Sequence, residues 1–352
     1  MADLISGIFA PPGDLHADAL HHVAERLQPG ACARLAFPQA GVPAVSLERD
    51  AVYWGGEDVS RLQRAFVRGF SYTNPVVPRA MDDVDWSLWQ YDYIGEQQKT
   101  SFLYSALSEL DRRGVRMSNA PRVYLDVSMK TDLLARVRAS GIQVPDVMCT
   151  NTRDEADAFM ARHEHVLWRP ATGRAAWQLC RERQLEFLVG ADKTPVLLSS
   201  IAPGMFLRCY LVDGEPVLCL KYAAPEQVPL ERLEVFQAIE DDSFYTQLRD
   251  TAAVLGMRWG AVHCVFDAEA GFAVYDIDPD PVVSAMPAAV QEYLNLCIAH
   301  DLLGQSIPAS DALRDTALVR ELPFLRRMLS VLFDMERSKY APQPPVGQTA
   351  GE

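Results

Sequence analysis

The sequence predicts a multidomain α/β protein, and three observations carry that reading. Strand-like and helix-like segments alternate at the N-terminal end, the pattern of a small α/β unit with a mainly parallel sheet. From residue 196 onward, apolar runs joined by short turns read as two β-hairpins instead. The 352 residues suffice for two or three domains, and 49% of them are hydrophobic, so each domain can bury a core.

The run LISGIFA reads as a buried strand and is followed by the turn Pro11-Pro12-Gly13. Asp14 is placed to cap a helix reaching about Leu27. Residues 31–36 and 51–54 supply two further strands. The stretch from Tyr72 to Asp92, rich in Pro, Asp and Trp, reads as an irregular loop. Residues 96–113 form a helix with apolar positions at Phe102, Leu103, Ala106, Leu107 and Leu110, stopped by Gly114. These elements define an N-terminal unit over residues 1–118.

A central unit over residues 119–200 opens with a helix at 128–139 that ends in Ser140-Gly141. IQVPDVMCT leads into a strand. Thr152 and Glu155 then stand in capping-box spacing ahead of another helix. VLWRP is a short strand before the loop ATGRA. A C-terminal unit over 201–340 holds the two hairpins and closing helices at 288–304 and 319–338, and the Pro/Gly-rich residues 341–352 read as a disordered tail.

Composition excludes several classes of function. Lys plus Arg total 33 against 47 Asp plus Glu, a net charge of −14, which argues against binding a nucleic-acid backbone. Net charge does not bear on one cleft, so a local basic pocket for a polyphosphate stays open. Seven cysteines without a CxxC spacing suggest reduced thiols in a cytoplasmic protein. No signal-peptide pattern and no run of about 18 apolar residues occurs, so no membrane association is expected. GxGxxG after the first strand, GxxxxGK[ST], HExxH and GxSxG are all absent.

The chemistry concentrates in Tyr275-Asp276-Ile277-Asp278-Pro279-Asp280-Pro281. Side chains alternate along a strand, so Asp276, Asp278 and Asp280 are expected on one side, where their mutual repulsion invites a cation such as magnesium. A solvated strand end is the plain alternative. The preceding strand, GAVHCVFD, pairs with GFAVYDID; if Ala268 pairs with Gly271, His263 lies opposite Asp276. Asp267 then sits roughly 13 Å away and is a poor ligand candidate. In the other hairpin, Asp213-Gly214 is a two-residue turn signal that pairs Val212 with Glu215. On that register Arg208 faces Cys219, and Lys221 is its same-face diagonal neighbour at about 7–8 Å. Two such cations can hold oxygens of one triphosphate, or they are an ordinary solvent-facing pair. Lys130 opens the central unit, and Arg169 ends a strand before Ala171-Thr172-Gly173, a turn able to offer N–H groups to phosphate. Arg64 or Arg68 can dock a substrate carboxylate, or simply cover a helix surface.

In this order the features resemble the ATP-grasp superfamily, especially RimK-like carboxylate–amine ligases, over roughly residues 115–285. Lys130 followed by Gly141-Ile142-Gln143-Val144-Pro145 is similar to the family's lysine helix and "G-apolar-x-VP" segment. Val166-Leu167-Trp168-Arg169-Pro170 with the small-residue loop resembles "VVKP", and Gly204, Arg208 and Gly214 resemble the next motif. Asp276-Ile277-Asp278-Pro279-Asp280-Pro281 resembles "E-V-N-x-x-P". Residues 1–115, with Arg34-Leu35-Ala36-Phe37-Pro38, look more loosely like the N-terminal domains of peptide-modifying, microviridin-type ligases.

The resemblance implies an ATP-grasp fold: a small α/β pre-ATP-grasp domain followed by two α+β subdomains clasping a nucleotide. It implies an ATP- and Mg2+-dependent ligase that activates a carboxylate as an acyl phosphate and couples it to an amine, on a peptide or amino-acid-like substrate. Lys130, Arg169, Thr172, Gly173, Ser199, Ile201 and Lys221 would bind the nucleotide, with Ser199 and Ile201 at the adenine hinge. Arg208 and Lys221 would act on the transferring group. Asp276 and Asp278 would bind magnesium, and His263 falls where the family has its first metal-binding acid. A homodimer is compatible with the resemblance. Departures from the motifs at Arg169, His263, Leu198-Ser199 and both aspartates keep two alternatives open: a non-catalytic member of the fold, and an ATP-dependent small-molecule kinase.

Overall fold

A computed structural model of the chain describes residues 4–38, 45–70, 86–171, 177–190, 192–222, 232–236, 242–309, 313 and 318–319. Thr172 and Gly173 lie outside them, as do residues 320–352 with most of the second expected closing helix and the tail. Among the described residues no helix is long and apolar enough to cross a membrane.

The N-terminal unit comprises β1 (Ser6–Ala10), α1 (Leu15–Leu27), β2 (Cys32–Ala36), β3 (Val45–Leu47), β4 (Val52–Trp54), β5 (Glu57–Asp58), β6 (Arg64–Val67), α2 (Trp86–Arg112) and β7 (Arg116–Met117). Its main sheet runs β2-β1-β6-β7 with every pair parallel, and β3-β4-β5 form a small antiparallel ribbon. A parallel sheet is covered on both faces. Ile8 and Ala10 pack with Ala17, Leu20 and Ala24 of α1, while Phe9 packs with Leu103, Ala106, Leu107 and Leu110 of α2. Asp14 caps α1 by accepting the Ala17 N–H at 2.8 Å. Helix α2 starts at Trp86, inside the stretch expected as loop; Pro75 and Pro78, which suggested the loop, both precede it.

The middle of the chain holds α3 (Pro121–Asp126), α4 (Lys130–Ala139), β8 (Val147–Thr150), α5 (Arg153–Arg162), β9 (Val166–Pro170), β10 (Gln178–Leu179), α6 (Glu182–Leu188) and β11 (Val196–Ser200). An antiparallel sheet, ordered β10-β9-β11-β8, carries α5 and α6 on one face through Phe159, Leu185, Val166 and Leu198. The expected capping box takes another form: Glu155 accepts from the hydroxyls of Thr150 and Thr152 rather than from backbone. Packing does not divide the chain at residue 119 and again at 200. Val123, Val127, Leu133, Val137 and Ile142 belong to the core of the C-terminal sheet, so the separately cored lid begins near β8.

The C-terminal unit adds β12 (Met205–Val212), β13 (Glu215–Lys221), β14 (Arg232–Val235), α7 (Asp242–Leu255), β15 (Gly260–Asp267), β16 (Gly271–Asp278), α8 (Ala288–Leu302) and β17 (Leu318–Val319). Its antiparallel sheet is ordered β16-β15-β12-β13-β14-β17. Leu207, Cys209, Val262 and Ile277 face α3, α4 and α7. Tyr210, Leu218, Leu220 and Ala261 face α8 and, with Trp259, join the N-terminal unit's Ile8, Leu20 and Phe66 in one shared core.

Two bulges decide what the hairpins present. Asp213 (φ 56) and Gly214 (φ 81) form the expected turn, and Val212 pairs with Glu215. Pro216, which has no N–H to give the ladder, is followed by an extra residue: Leu211 pairs with Pro216 but Tyr210 with Leu218. Arg208 therefore faces Leu220, not Cys219, and Lys221 pairs with Leu207, so the two cations stand on opposite sides of the sheet. In the second hairpin Asp267, not Ala268, pairs with Gly271, and its Oδ1 accepts from the N–H groups of Glu269 and Ala270. A bulge at Tyr275 then restores the expected partnership of His263 with Asp276. Gly260 (φ 154) makes the close approach that frames this strand end, since a Cβ there would meet the Asp278 carbonyl oxygen at 2.5 Å.

Gly260→Ala is expected to destabilise the fold by roughly 2 kcal/mol or more, combining overpacking with backbone strain. Gly214→Ala, with open space around it, is expected to lose only about 1–2 kcal/mol. Urea midpoints of the two variants compare these directly. His16, 3% exposed on α1, is pushed down to about 3 by burial and then by the Arg68 charge. It stays neutral in the fold while the unfolded chain takes up a proton below its ordinary value of 6.5. Its contribution to stability is thus complete above that value and falls away toward pH 3, by roughly 3 kcal/mol at pH 4. Stability–pH curves of wild type and His16→Phe should diverge in that window.

Candidate functional site

The sites expected on separate elements meet where the lid sheet faces the C-terminal sheet. Asp276 lies on β16, the edge strand, and receives a cation from each side. Lys130 at the start of α4 reaches around the edge, placing Nζ 2.5 Å from Asp276 Oδ1 and 3.0 Å from the Ile277 carbonyl oxygen. Arg169 comes from the lid face opposite α5 and α6, donating to Asp276 Oδ2 at 2.6 Å. Both cations are buried, at 2% and 1% exposed. Arg169 also lies 5.4 Å over the Trp177 ring.

Two positive charges around one carboxylate explain the displaced acidities. Burial opposes ionisation of Asp276, but Lys130 and Arg169 outweigh it and hold the carboxyl well below the usual range. Lys130 is pulled down by burial, with Arg169 adding to the effect and Asp276 opposing it. The cleft therefore carries an excess of positive charge and is suited to a further anion.

One residue pair along on the same face, Arg208 Nε donates to His263 Nε2 at 2.8 Å. His263 lies opposite Asp276, and burial followed by the Arg208 charge lowers it to about 3. The Arg208 guanidinium also sits 5.5 Å from the Tyr222 ring centroid and 4.0 Å from Asp278 Oδ2. Lys221 is not in this group: on the opposite face, half-exposed, it bonds Glu234 at 3.2 Å. Asp280 is not there either. Beyond the end of β16 it turns toward the N-terminal unit, where Arg68 and the Gly69 N–H bind it at 2.5 and 2.9 Å. Arg68 and Arg64 are thus engaged internally, the latter with Asp301 at 2.7 Å, and neither stands open to dock a substrate carboxylate.

At the hinge from lid to C-terminal sheet, the Ser199 side chain is buried and donates to the Ser200 carbonyl oxygen, while Ile201 packs with Leu167 and Tyr275. A cavity of about 360 Å³ opens beside it, between Arg162–His165 and Ser200–Phe206. Tyr275, named in the acidic motif of the sequence without being given a role, holds this hinge. Its hydroxyl donates to the Ser200 carbonyl oxygen at 3.2 Å and accepts from the Ala202 N–H at 2.5 Å. The bulge that aims it is invisible in a strand read by alternation alone.

The donor set fits one magnesium ion. Among the described residues no group of three or more His, Cys, Asp or Glu can hold a metal. Magnesium does not need one, because it is bound through one or two carboxylates plus substrate phosphates and water. Asp278 and Asp276 are two carboxylates that could serve in this way. His263 is less suited, since its Nε2 is occupied by Arg208.

No family model matches the chain, and no curated protein matches it. Solved structures do. The chain is similar to the ATP-grasp ligase PsnB complexed with a phosphomimetic variant of minimal precursor, Mg and ADP, at 18% identity and TM-score 0.70, covering 86% of this chain and 99% of that one. It is similar to the macrocyclase MdnC bound with precursor peptide MdnA from Microcystis aeruginosa MRC, at 12% identity and TM-score 0.65, covering 86% and 100%. A Chryseobacterium gregarium RiPP-associated ATP-grasp ligase in complex with ADP and a leader and core peptide aligns at 13% identity and TM-score 0.60, covering 87% and 98%. The fold is therefore the ATP-grasp fold. The likeness covers most of the chain and so extends into the N-terminal unit as well as the two units that follow it.

Asp276→Asn leaves Lys130 and Arg169 facing each other without their shared counter-charge, and is expected to destabilise the ligand-free protein by roughly 3–5 kcal/mol. The wild-type contribution is fully present above the ordinary carboxyl value of about 4 and is lost as pH falls below it. The variant's urea stability should lack that acid limb.

Proposed function

We propose that the chain is an ATP-dependent carboxylate–amine ligase acting on a peptide. The observation that carries this reading is the convergence of Lys130, Arg169 and Arg208 on the two carboxylates Asp276 and Asp278 between lid and sheet. Such a cleft has excess positive charge for phosphates and two oxygen ligands for the accompanying cation. The ADP, magnesium and precursor peptides bound by the structural neighbours support nucleotide, metal and substrate class alike.

In this mechanism the substrate carboxylate oxygen attacks the γ-phosphorus of ATP. The bond to the β-phosphate oxygen breaks, and ADP leaves. The amine nitrogen then attacks the acyl carbon, the phosphate departs with the C–O electrons, and the nitrogen loses a proton to give the amide. Lys130 and Arg169, buried and fixed in geometry, hold phosphate oxygens, and Arg208 neutralises charge on the transferring group. Asp278 and Asp276 would hold magnesium, which would supply charge neutralisation at the nucleotide's phosphates. The lid sheet shields the acyl phosphate from water. No protein nucleophile takes part, consistent with the missing Ser-His and Cys-His patterns. Lys221 has no step here. A peptide-modifying ligase of this kind belongs in the cytoplasm.

The test is incubation with ATP, magnesium and a candidate precursor peptide, followed by ADP assay and product mass. A peptide lighter by one water, with stoichiometric ADP, is the expected outcome for an intramolecular amide. A peptide heavier by a phosphoryl group would identify a kinase instead. Melting with ATP and magnesium should rise by several degrees, since a ligand at about one hundred times its dissociation constant stabilises by about 2.7 kcal/mol; no rise with any nucleotide would overturn the proposal.

A further inference from the structure

The segment that carries Asp278 out of the sheet has unusual backbone chemistry. Pro279 and Pro281 have no N–H, so Asp280 supplies the sole backbone donor of residues 279–281. That donor goes to Asp278 Oδ1 at 3.1 Å. The position of Asp280 therefore decides how the Asp278 carboxylate is turned, leaving Oδ2 on the side of Arg208.

Asp280 is fixed from the N-terminal unit. Arg68, just past β6, donates through Nη1 to Asp280 Oδ1 at 2.5 Å and to the Pro281 carbonyl oxygen at 3.3 Å. The Gly69 N–H takes Asp280 Oδ2. Arg68 is itself oriented through Nε by Asp14 at 2.9 Å, the same carboxylate that caps α1. Its side chain is 10% exposed and that of Asp280 5%, so the pair is held with little competition from water. Asn119 secures the intervening turn, donating to the Pro279 carbonyl oxygen at 3.0 Å.

We propose that Arg68 is a positioning residue: acting through Asp280, it orients the Asp278 carboxylate and so sets the magnesium affinity of the nucleotide cleft from the N-terminal unit. This rests on the reading of Asp276 and Asp278 as the magnesium-holding pair. A residue that orients a metal ligand without touching the metal changes metal affinity more than it changes the remainder of the site.

The measurement is ADP affinity by calorimetry, in excess Mg2+ and again in EDTA, for the full chain. In wild type Mg2+ tightens ADP binding. In Arg68→Met that gain falls by about 10-fold, while ADP affinity in EDTA stays within about two-fold because Lys130 and Arg169 are untouched. Arg68→Lys, which keeps the charge on Asp280, recovers part of the gain. Asp280→Asn keeps the shape and weakens the same link, so it carries the test if Arg68→Met does not fold. A lower melting temperature with the full Mg2+ gain in both Arg68→Met and Asp280→Asn would reduce the contact to a structural bolt and overturn the proposal. Wild type that binds ADP with no Mg2+ gain would overturn it together with the metal reading. Wild type with the gain, and variants that keep it, would overturn this inference alone.

Discussion

One carboxylate shared by two buried cations is the constraint around which the clasp is arranged. Lys130 and Arg169 are almost fully excluded from water, and an unpaired buried cation is too unfavourable to persist in its charged form. Both must reach Asp276, and their positions follow from that need. Helix α4 has to start beside the edge strand β16, and the lid has to present the face of β9 that lacks helices. The compensation is incomplete, with two positive charges against one. The two cations hold the Asp276 carboxyl well below its usual range against the effect of burial, while burial pulls Lys130 down. Lys130 and Arg169 are thus already aimed at a negative partner, as the proposed binding of a polyphosphate requires. A chain with a net charge of −14 can hold such a cleft because the charges that matter are a few ångströms apart.

The sequence was legible where period-two alternation and turn chemistry act without interruption. Strands β1, β2 and β4 and helix α1 of the N-terminal unit, the Asp213-Gly214 turn and the strand carrying Arg169 could be read directly, whereas β6, which carries Arg64 where a helix surface was weighed, could not. It failed where one extra residue enters a ladder. Lys221 was expected beside Arg208, and the extra residue after Pro216 sends it to the other face. His263 was rightly expected opposite Asp276, although on a wrong turn register that the bulge at Tyr275 offsets. A bulge leaves a weak trace in composition: Pro216 hints at the first, and nothing marks the second. The Arg68–Asp280 contact was beyond reach for another reason. It joins residues 212 apart, and no local pattern states which arginine of β6 or its exit loop finds which aspartate.

The N-terminal unit is not packed as a separate appendage. Its α1 and β1 share a core with Tyr210, Trp259 and α8 of the C-terminal unit, so the two are packed as one body. Asp14 joins three roles in one side chain, capping α1, orienting Arg68 and, through Arg68, anchoring the end of β16. Changes at the N-terminal surface have a short, polar and largely desolvated route to the cleft.

The lid meets the C-terminal sheet through a small apolar cluster of Leu167, Val265 and Tyr275, and through polar links from two adjacent residues of β16. Asp276 binds Arg169, and Tyr275 binds the hinge backbone at Ser200 and Ala202. These links differ in kind. The ion pair can be exchanged for phosphate, because an incoming anion satisfies Arg169 as well as a carboxylate does. The tyrosine link binds backbone groups that no nucleotide phosphate can replace. On the proposed reaction a phosphate can therefore take Arg169 from Asp276 without disturbing the Tyr275 contacts. The bulge that aims Tyr275 at the Ser200–Ala202 backbone also sets Asp276 opposite His263, so this contact and the charge centre are placed by a single irregularity in β16.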